Sequence, residues 1–185
     1  GHIYSLMGET FFLTKQYDSA IFYYQFVDRR ESLSDTDSSK NERQTSWENS
    51  RMAEIYIVRQ KLDSAILYLN GALTYFERIT DRNQLMWTLV RLCRAYEANR
   101  NYPAAFQNAR KLLRIAAETG ARQHLREAHF MLYKLFDAEQ KNDSAYEHLQ
   151  QYTYLKEIID ADQTEQKLAF FKSEIETEKA KAGIV

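Results

Sequence analysis

The chain has 185 residues, 44% of them apolar and 28% charged, and 25 Lys and Arg against 26 Asp and Glu leave a net charge of −1. That is apolar enough to build a core, which excludes a disordered tail, and too balanced for a nucleic-acid binder that works by neutralising phosphates. Five Gly and one Pro are too few breaks for strands and hairpins, and a single Cys excludes an internal disulfide or a Cys-based zinc site, so the composition specifies an all-α fold.

In chain order, apolar periodicity predicts helices over about 2–15, 18–32, 46–60, 63–80, 83–100, 103–119, 122–140 and 143–160. Ser34-Asp35-Thr36-Asp37-Ser38-Ser39-Lys40-Asn41 reads as a polar loop, and a ninth helix is expected over about 162–182. No stretch reaches the roughly 18 consecutive apolar residues of a membrane span. The sequence opens Gly1-His2 with no visible signal peptide, and its first helix begins in mid-pattern, so both ends read as cut.

Self-similarity organises the chain. Asp18-Ser19-Ala20, Asp63-Ser64-Ala65 and Asp143-Ser144-Ala145 are identical, and Pro103-Ala104-Ala105 stands in the corresponding place. The alanines at 20, 65, 105 and 145 are 45, 40 and 40 residues apart. Aligned on them, position −9 is always aromatic (Phe11, Tyr56, Tyr96, Phe136), position −13 is Met7, Met52, Leu92 and Leu132, and position −12 is Gly8, Ala53, Cys93 and Tyr133. Positions +1 and +4 hold Ile21, Ile66, Phe106 and Tyr146, then Tyr24, Leu69, Ala109 and Leu149. Such steps put one apolar face on each of two helices joined by a short turn. The aspartates are expected to cap the second helix, and Pro103 suits its first turn. The repeated alanine is expected where the paired helices touch.

These columns resemble the tetratricopeptide repeat, through Met7, Gly8, Phe11, Tyr17, Ala20, Tyr24 and Val27 of the first unit and their counterparts in three more. The resemblance implies an α-α superhelix of about four helix pairs over residues 1–160, with 161–185 as a capping or coiled-coil-leading helix. The family period is about 34 residues, shorter than here, and its closing proline is replaced by Ser32, Glu77, Ala117 and Glu157. A HEAT-like array is the alternative that a 40-residue period admits; the small Gly8/Ala20 pair and the aromatic column favour the tetratricopeptide packing.

The residues offer little chemistry. His124 and His129 are five apart, which turns them to different sides of a helix and away from a metal-binding pair. His2, His129 and His148 read as surface or structural residues, and Cys93 as a buried, inert thiol. No phosphate loop, nucleophile elbow or zinc spacing is present, so a non-catalytic protein without cofactor or metal is expected.

By the resemblance, the first helix of each unit lines a concave groove. The candidate partner-binding residues on it are Trp47, Arg51 and Glu54, then Trp87, Arg91 and Arg94, then Glu127 and Lys134. Trp and Arg are enriched at binding hot spots, and Arg can grip a carboxylate through two parallel hydrogen bonds. A protein or peptide segment carrying a carboxylate is thus one expectation. In the other reading Trp47 and Trp87 are packing residues and Arg51 pairs with Glu54. Ser5 and Glu9 stand where the carboxylate-clamp subclass carries Lys and Asn, which argues against that subclass.

In the last helix Leu168, Phe171 and Ile175 are expected to cover the open end of the fourth unit, as a solenoid cap does. The segments Asp143–Leu149, Leu155-Lys156-Glu157 and Glu176-Thr177-Glu178-Lys179 resemble the repeats that precede the output domains of bacterial membrane-bound histidine kinases or helix-turn-helix regulators. That implies the sensor region of a signal-transduction protein, outside the cytoplasmic membrane, dimerising in parallel through its last helix. A soluble scaffold or adaptor, and an intracellular receptor for a small signalling peptide, remain beside it.

Overall fold

The computed structural model describes residues 2–31 and 38–181, and among them every regular element is an α-helix. In order these are α1 (His2–Leu13), α2 (Tyr17–Glu31), α3 (Ser38–Val58), α4 (Leu62–Arg78), α5 (Arg82–Ala98), α6 (Tyr102–Thr119), α7 (Arg122–Ala138) and α8 (Asn142–Lys181). Each helix packs on the next, and α3–α5 and α5–α7 also touch, so the first helices of successive units form a continuous inner row. This is a tetratricopeptide-like helical-repeat superhelix.

The alanine column is where the pairs meet. Ala20, Ala65 and Ala105 have no exposed surface and Ala145 has 5%. The Cys93 thiol, in the small-residue column opposite, donates to the Ala105 carbonyl at 3.7 Å. Gly8 belongs to the same column, and its helix lies so near α2 that a Cβ there would stand 2.5 Å from Cε1 of Tyr24.

The first helix of each unit ends earlier than expected for one reason. Lys15, Gln60, Arg100 and Gln140 adopt left-handed φ of 55–59° and stop the first helix of each unit about two residues early. The amide two residues past the helix-ending turn then bonds back to the aromatic column: Gln16 N–H to the Phe11 carbonyl at 2.8 Å, Lys61 to Tyr56 at 2.8 Å, Asn101 to Tyr96 at 2.9 Å and Lys141 to Phe136 at 2.9 Å. This is the double-bonded helix stop of a Schellman motif. The same residues open the next helix, since the carbonyls of Gln16, Lys61, Asn101 and Lys141 accept from the four repeated alanines at 3.0–3.1 Å.

The expected aspartate caps are therefore corrected. Helix α4 starts after Lys61 with no side-chain cap, and Asp63 lies inside its first turn, where its charge still suits the helix N-terminus. Asp18 instead pairs with Arg59 at 2.8 Å. Side-chain caps occur at Asn101, accepting from the Ala104 amide, and at Asp81, accepting from that of Gln84.

Two further expectations fail. Ser38 to Asn41, read as loop, belong to α3, while residues 34–37 of that segment lie outside the described residues. No break separates an eighth and a ninth helix: α8 runs unbroken for 40 residues. Leu168, Phe171 and Ile175 do not fold back as a cap but stay 54–56% exposed. Nothing between 159 and 162 stops a helix, since Ile159-Asp160-Ala161-Asp162 contains neither Gly nor Pro.

Candidate functional site

The inner row carries a ladder of ion pairs. Arg51 of α3 donates to Glu9 of α1 at 2.8 Å and lies 3.5 Å from Glu54 one turn on. Arg91 of α5 reaches the same Glu54 oxygen at 3.2 Å. Further along, Arg94 and Arg126 share Glu127 at 3.3 and 3.0 Å, and Lys134 of α7 pairs with Glu97 of α5. Each first helix thus faces opposite charges on its neighbour, α5 through Arg91, Arg94 and Glu97. The pairs are partly exposed and individually weak, so their effect is more on register than on stability. Burial holds the Arg91 guanidinium below its usual range.

Six of the candidate residues lie on this ladder: Arg51, Glu54 and Arg91 in one connected run, Arg94 with Glu127, and Lys134 with Glu97. The tryptophans are both half-buried against the core, with different neighbours. Trp47 presents its edge to Tyr24 at 6.3 Å between ring centres, and the Arg51 guanidinium lies 5.2 Å from the Trp47 ring and 5.1 Å from that of Phe12. Trp87 turns into the α5–α7 packing, edge-on to His124 at 4.6 Å. His124 is buried, its Nε2 has no hydrogen-bond partner among the described residues, and burial lowers its pKa.

A cleft of about 410 Å³ opens beside Trp47. Leu6, Trp47 and Phe76 are its apolar walls, and Glu9, Arg43, Gln44 and Gln84 its polar rim. Behind it, Glu48 is 1% exposed on α3 and accepts from Ser5 of α1 and, at 2.9 Å, from Gln44, which also donates to Ser5 at 2.8 Å. Tyr24 closes this end by donating to Glu9 at 3.0 Å; burial, then the Glu9 charge, raise its pKa. Sequence reasoning missed Gln44, Glu48 and Gln84. The Gln44–Glu48 step of four is a helical signal, but it begins a turn after the segment taken as loop.

Cys93, His129 and His148 do not line this cleft. The Cys93 thiol is 1% exposed and burial pushes its pKa up to about 12, so it stays protonated at neutral pH. His129 and His148 join α7 to α8 through an Nδ1–Nδ1 contact of 2.9 Å, and His148 stacks on Phe136. Burial, then the neighbouring His148, bring His129 down to about 4. Among the described residues no three His, Cys, Asp or Glu stand where they could hold one metal ion, and no helix is long and apolar enough to cross a membrane.

Known structures share this architecture. The apo form of RapI superimposes with a TM-score of 0.76 at 18% identity, over 86% of this chain and 57% of that one. Aspartyl phosphate phosphatase F from Bacillus subtilis does so with a TM-score of 0.69 at 15% identity, over 99% and 51%. The chain therefore spans little more than half the length of these structures, and at such identity the likeness is one of fold. Neither a protein-family profile nor a curated protein sequence matches the chain.

Proposed function

We propose that this domain is a non-catalytic docking module that holds an extended peptide or protein segment along its inner helix row, with one apolar side chain of that segment seated beside Trp47. The observation that carries this is the cleft, whose apolar walls and rim of amide and charged groups are the usual make-up of a binding pocket. Arg51 and Arg91 already hold Glu9 and Glu54, so a ligand carboxylate would have to displace an internal one. This shifts the anchor from a carboxylate grip toward the apolar wall. Gln84, the carbonyl oxygen of Gln44 and the guanidinium N–H groups of Arg43 not held by Asp81 offer hydrogen bonds to a peptide backbone.

The test is selection of peptides from a random displayed library on the 185-residue domain, followed by fluorescence anisotropy with the enriched sequences. Trp47→Ala should weaken binding by roughly thirtyfold, as loss of a buried aromatic anchor does. Arg51→Ala with Arg91→Ala should weaken it less. Affinity unchanged in both variants would reject this face as the site.

The sensor reading rests on a different observation. Helix α8 leaves the last repeat without interruption, so movement of the fourth unit would be carried rigidly along it toward whatever follows. On that reading the repeats sit outside the cytoplasmic membrane and ligand binding at the inner row reorients α8. A fluorescent pair on α3 and the far part of α8, read with and without a selected peptide, tests this; an unchanged distance rejects it.

A further inference from the structure

From Ala161 to Lys179 every residue of α8 is exposed, and the one contact from another helix among the described residues is the surface ion pair of Arg122 in α7 with Asp162, off the seam, at 2.8 Å. It is nonetheless patterned. Leu168, Phe171 and Ile175 follow steps of three and four, and Ala161, Thr164 and Glu178 extend the same stripe at both ends. In a two-helix coil these are the seam positions, with Lys167 and Glu174 on one flank and Glu165 and Lys172 on the other.

The flanking charges choose a direction. In an antiparallel pair each flank meets its own kind on the partner. Lys167 then faces the partner's Glu174, Glu165 faces the partner's Lys172, and both contacts occur twice by symmetry. All four are attractive. The same register sets Leu168 against the partner's Phe171, and Ile175 against the partner's Thr164. In a parallel pair the flanks cross instead. Lys167 would meet the partner's Lys172 and Asp160 the partner's Glu165, both repulsive, and only Glu174 with the partner's Lys179 would attract. We propose that the exposed half of α8 is a homodimerisation surface, and that two copies of this chain pair there as an antiparallel coil centred between Leu168 and Phe171. This runs opposite to the parallel pairing that the sensor reading calls for, and it leaves the inner row of both copies open.

The intact chain is measured by sedimentation velocity from micromolar to millimolar concentration, with far-UV circular dichroism to confirm that each variant folds. Lys167→Glu with Lys172→Glu makes all four flanking positions acidic, and Glu165→Lys with Glu174→Lys makes them all basic. Each double variant alone should dimerise more weakly by roughly tenfold or more, and an equimolar mixture should recover a heterodimer. For direction, Ala161→Cys chains mixed with Glu178→Cys chains should form the mixed disulfide, whereas Ala161→Cys alone should not cross-link; the buried Cys93 does not compete. A monomer at every concentration would overturn the proposal. So would a dimer indifferent to both charge inversions, or efficient cross-linking of Ala161→Cys with itself.

Discussion

Replacing Gly8 by alanine should set a steric cost against a helix-propensity gain, and Gly71 provides the control. A Cβ at Gly8 would lie 2.5 and 2.7 Å from two ring carbons of Tyr24, against the roughly 3.5–4.0 Å at which carbons rest. The ring has nowhere to go, since it is fully buried, bonded to Glu9 and packed on the edge of Trp47. Overpacking of this kind costs about 1–3 kcal/mol. Alanine is also a better helix former than glycine by about 0.8–1.0 kcal/mol, which offsets part of the loss. At Gly71, exposed in the middle of α4, a Cβ meets nothing within 4 Å. Gly71→Ala should therefore raise Tm by about 2–4 °C, and Gly8→Ala should melt about 2–12 °C below it. Thermal unfolding followed by circular dichroism at 222 nm reads both. Equal upward shifts in the two variants would refute the close contact of α1 with α2.

At Ala65, buried between α3 and α4, substitution by leucine should destabilise by about 1–3 kcal/mol in a denaturant titration; no change would undo the register of the repeat. Arg100 is a non-glycine residue at φ 55°, so Arg100→Gly should stabilise by roughly 0.5–1 kcal/mol in the same assay. His129 has its folded pKa depressed to about 4, below the unfolded value of roughly 6.5. The unfolded chain thus takes up the proton first, and stability should fall as pH drops from about 6.5 toward 4. His148 is shifted the same way and adds to the effect. His129→Asn should flatten that slope, and an NMR titration of the His129 ring with a midpoint near 6.5 would refute the assignment. Ending the chain after Asp160 removes only exposed residues and one surface ion pair, Arg122 with Asp162, so Tm should shift by no more than about 2 °C; a larger drop would mean that the far part of α8 does cover the repeats.

What could be read from the sequence was what repeats. The alanines at 20, 65, 105 and 145 and the aromatic column above them identify the pairs, because contact between two helices tolerates few side chains. Helix ends were less legible. Lys15, Gln60, Arg100 and Gln140 take the left-handed conformation without being glycine, and a long polar side chain gives no sign of it. The course of α8 was misjudged because an apolar stripe looks alike whether it packs on its own fold or stands exposed. On the inner row, the Arg51–Glu54 pair was legible because the two stand three residues apart, whereas the pairs Arg51–Glu9 and Arg91–Glu54 were not, since those partners lie 37 or more residues apart along the chain. Trp87 shares a slot with Trp47 and both are half-buried against the core, but Trp47 also lines the cleft while Trp87 meets His124, a difference set by neighbours that the slot does not name.

The left-handed residues Gln60, Thr80, Arg100, Gly120 and Gln140 fall 20 apart, and from α3 to α8 every turn uses the same pair of backbone bonds. Chain length between these points is thus counted in units of one helix and its stop. Removing 40 residues, Lys61 to Arg100, would join Gln60 to Asn101 and leave the turn grammar intact, one helix pair shorter. Removing 20 would keep every turn and yet exchange inner for outer helices in all that follows. Insertions and deletions in such a chain are therefore held to a parity rule, under which even multiples of the half-unit preserve the inner row and odd ones abolish it.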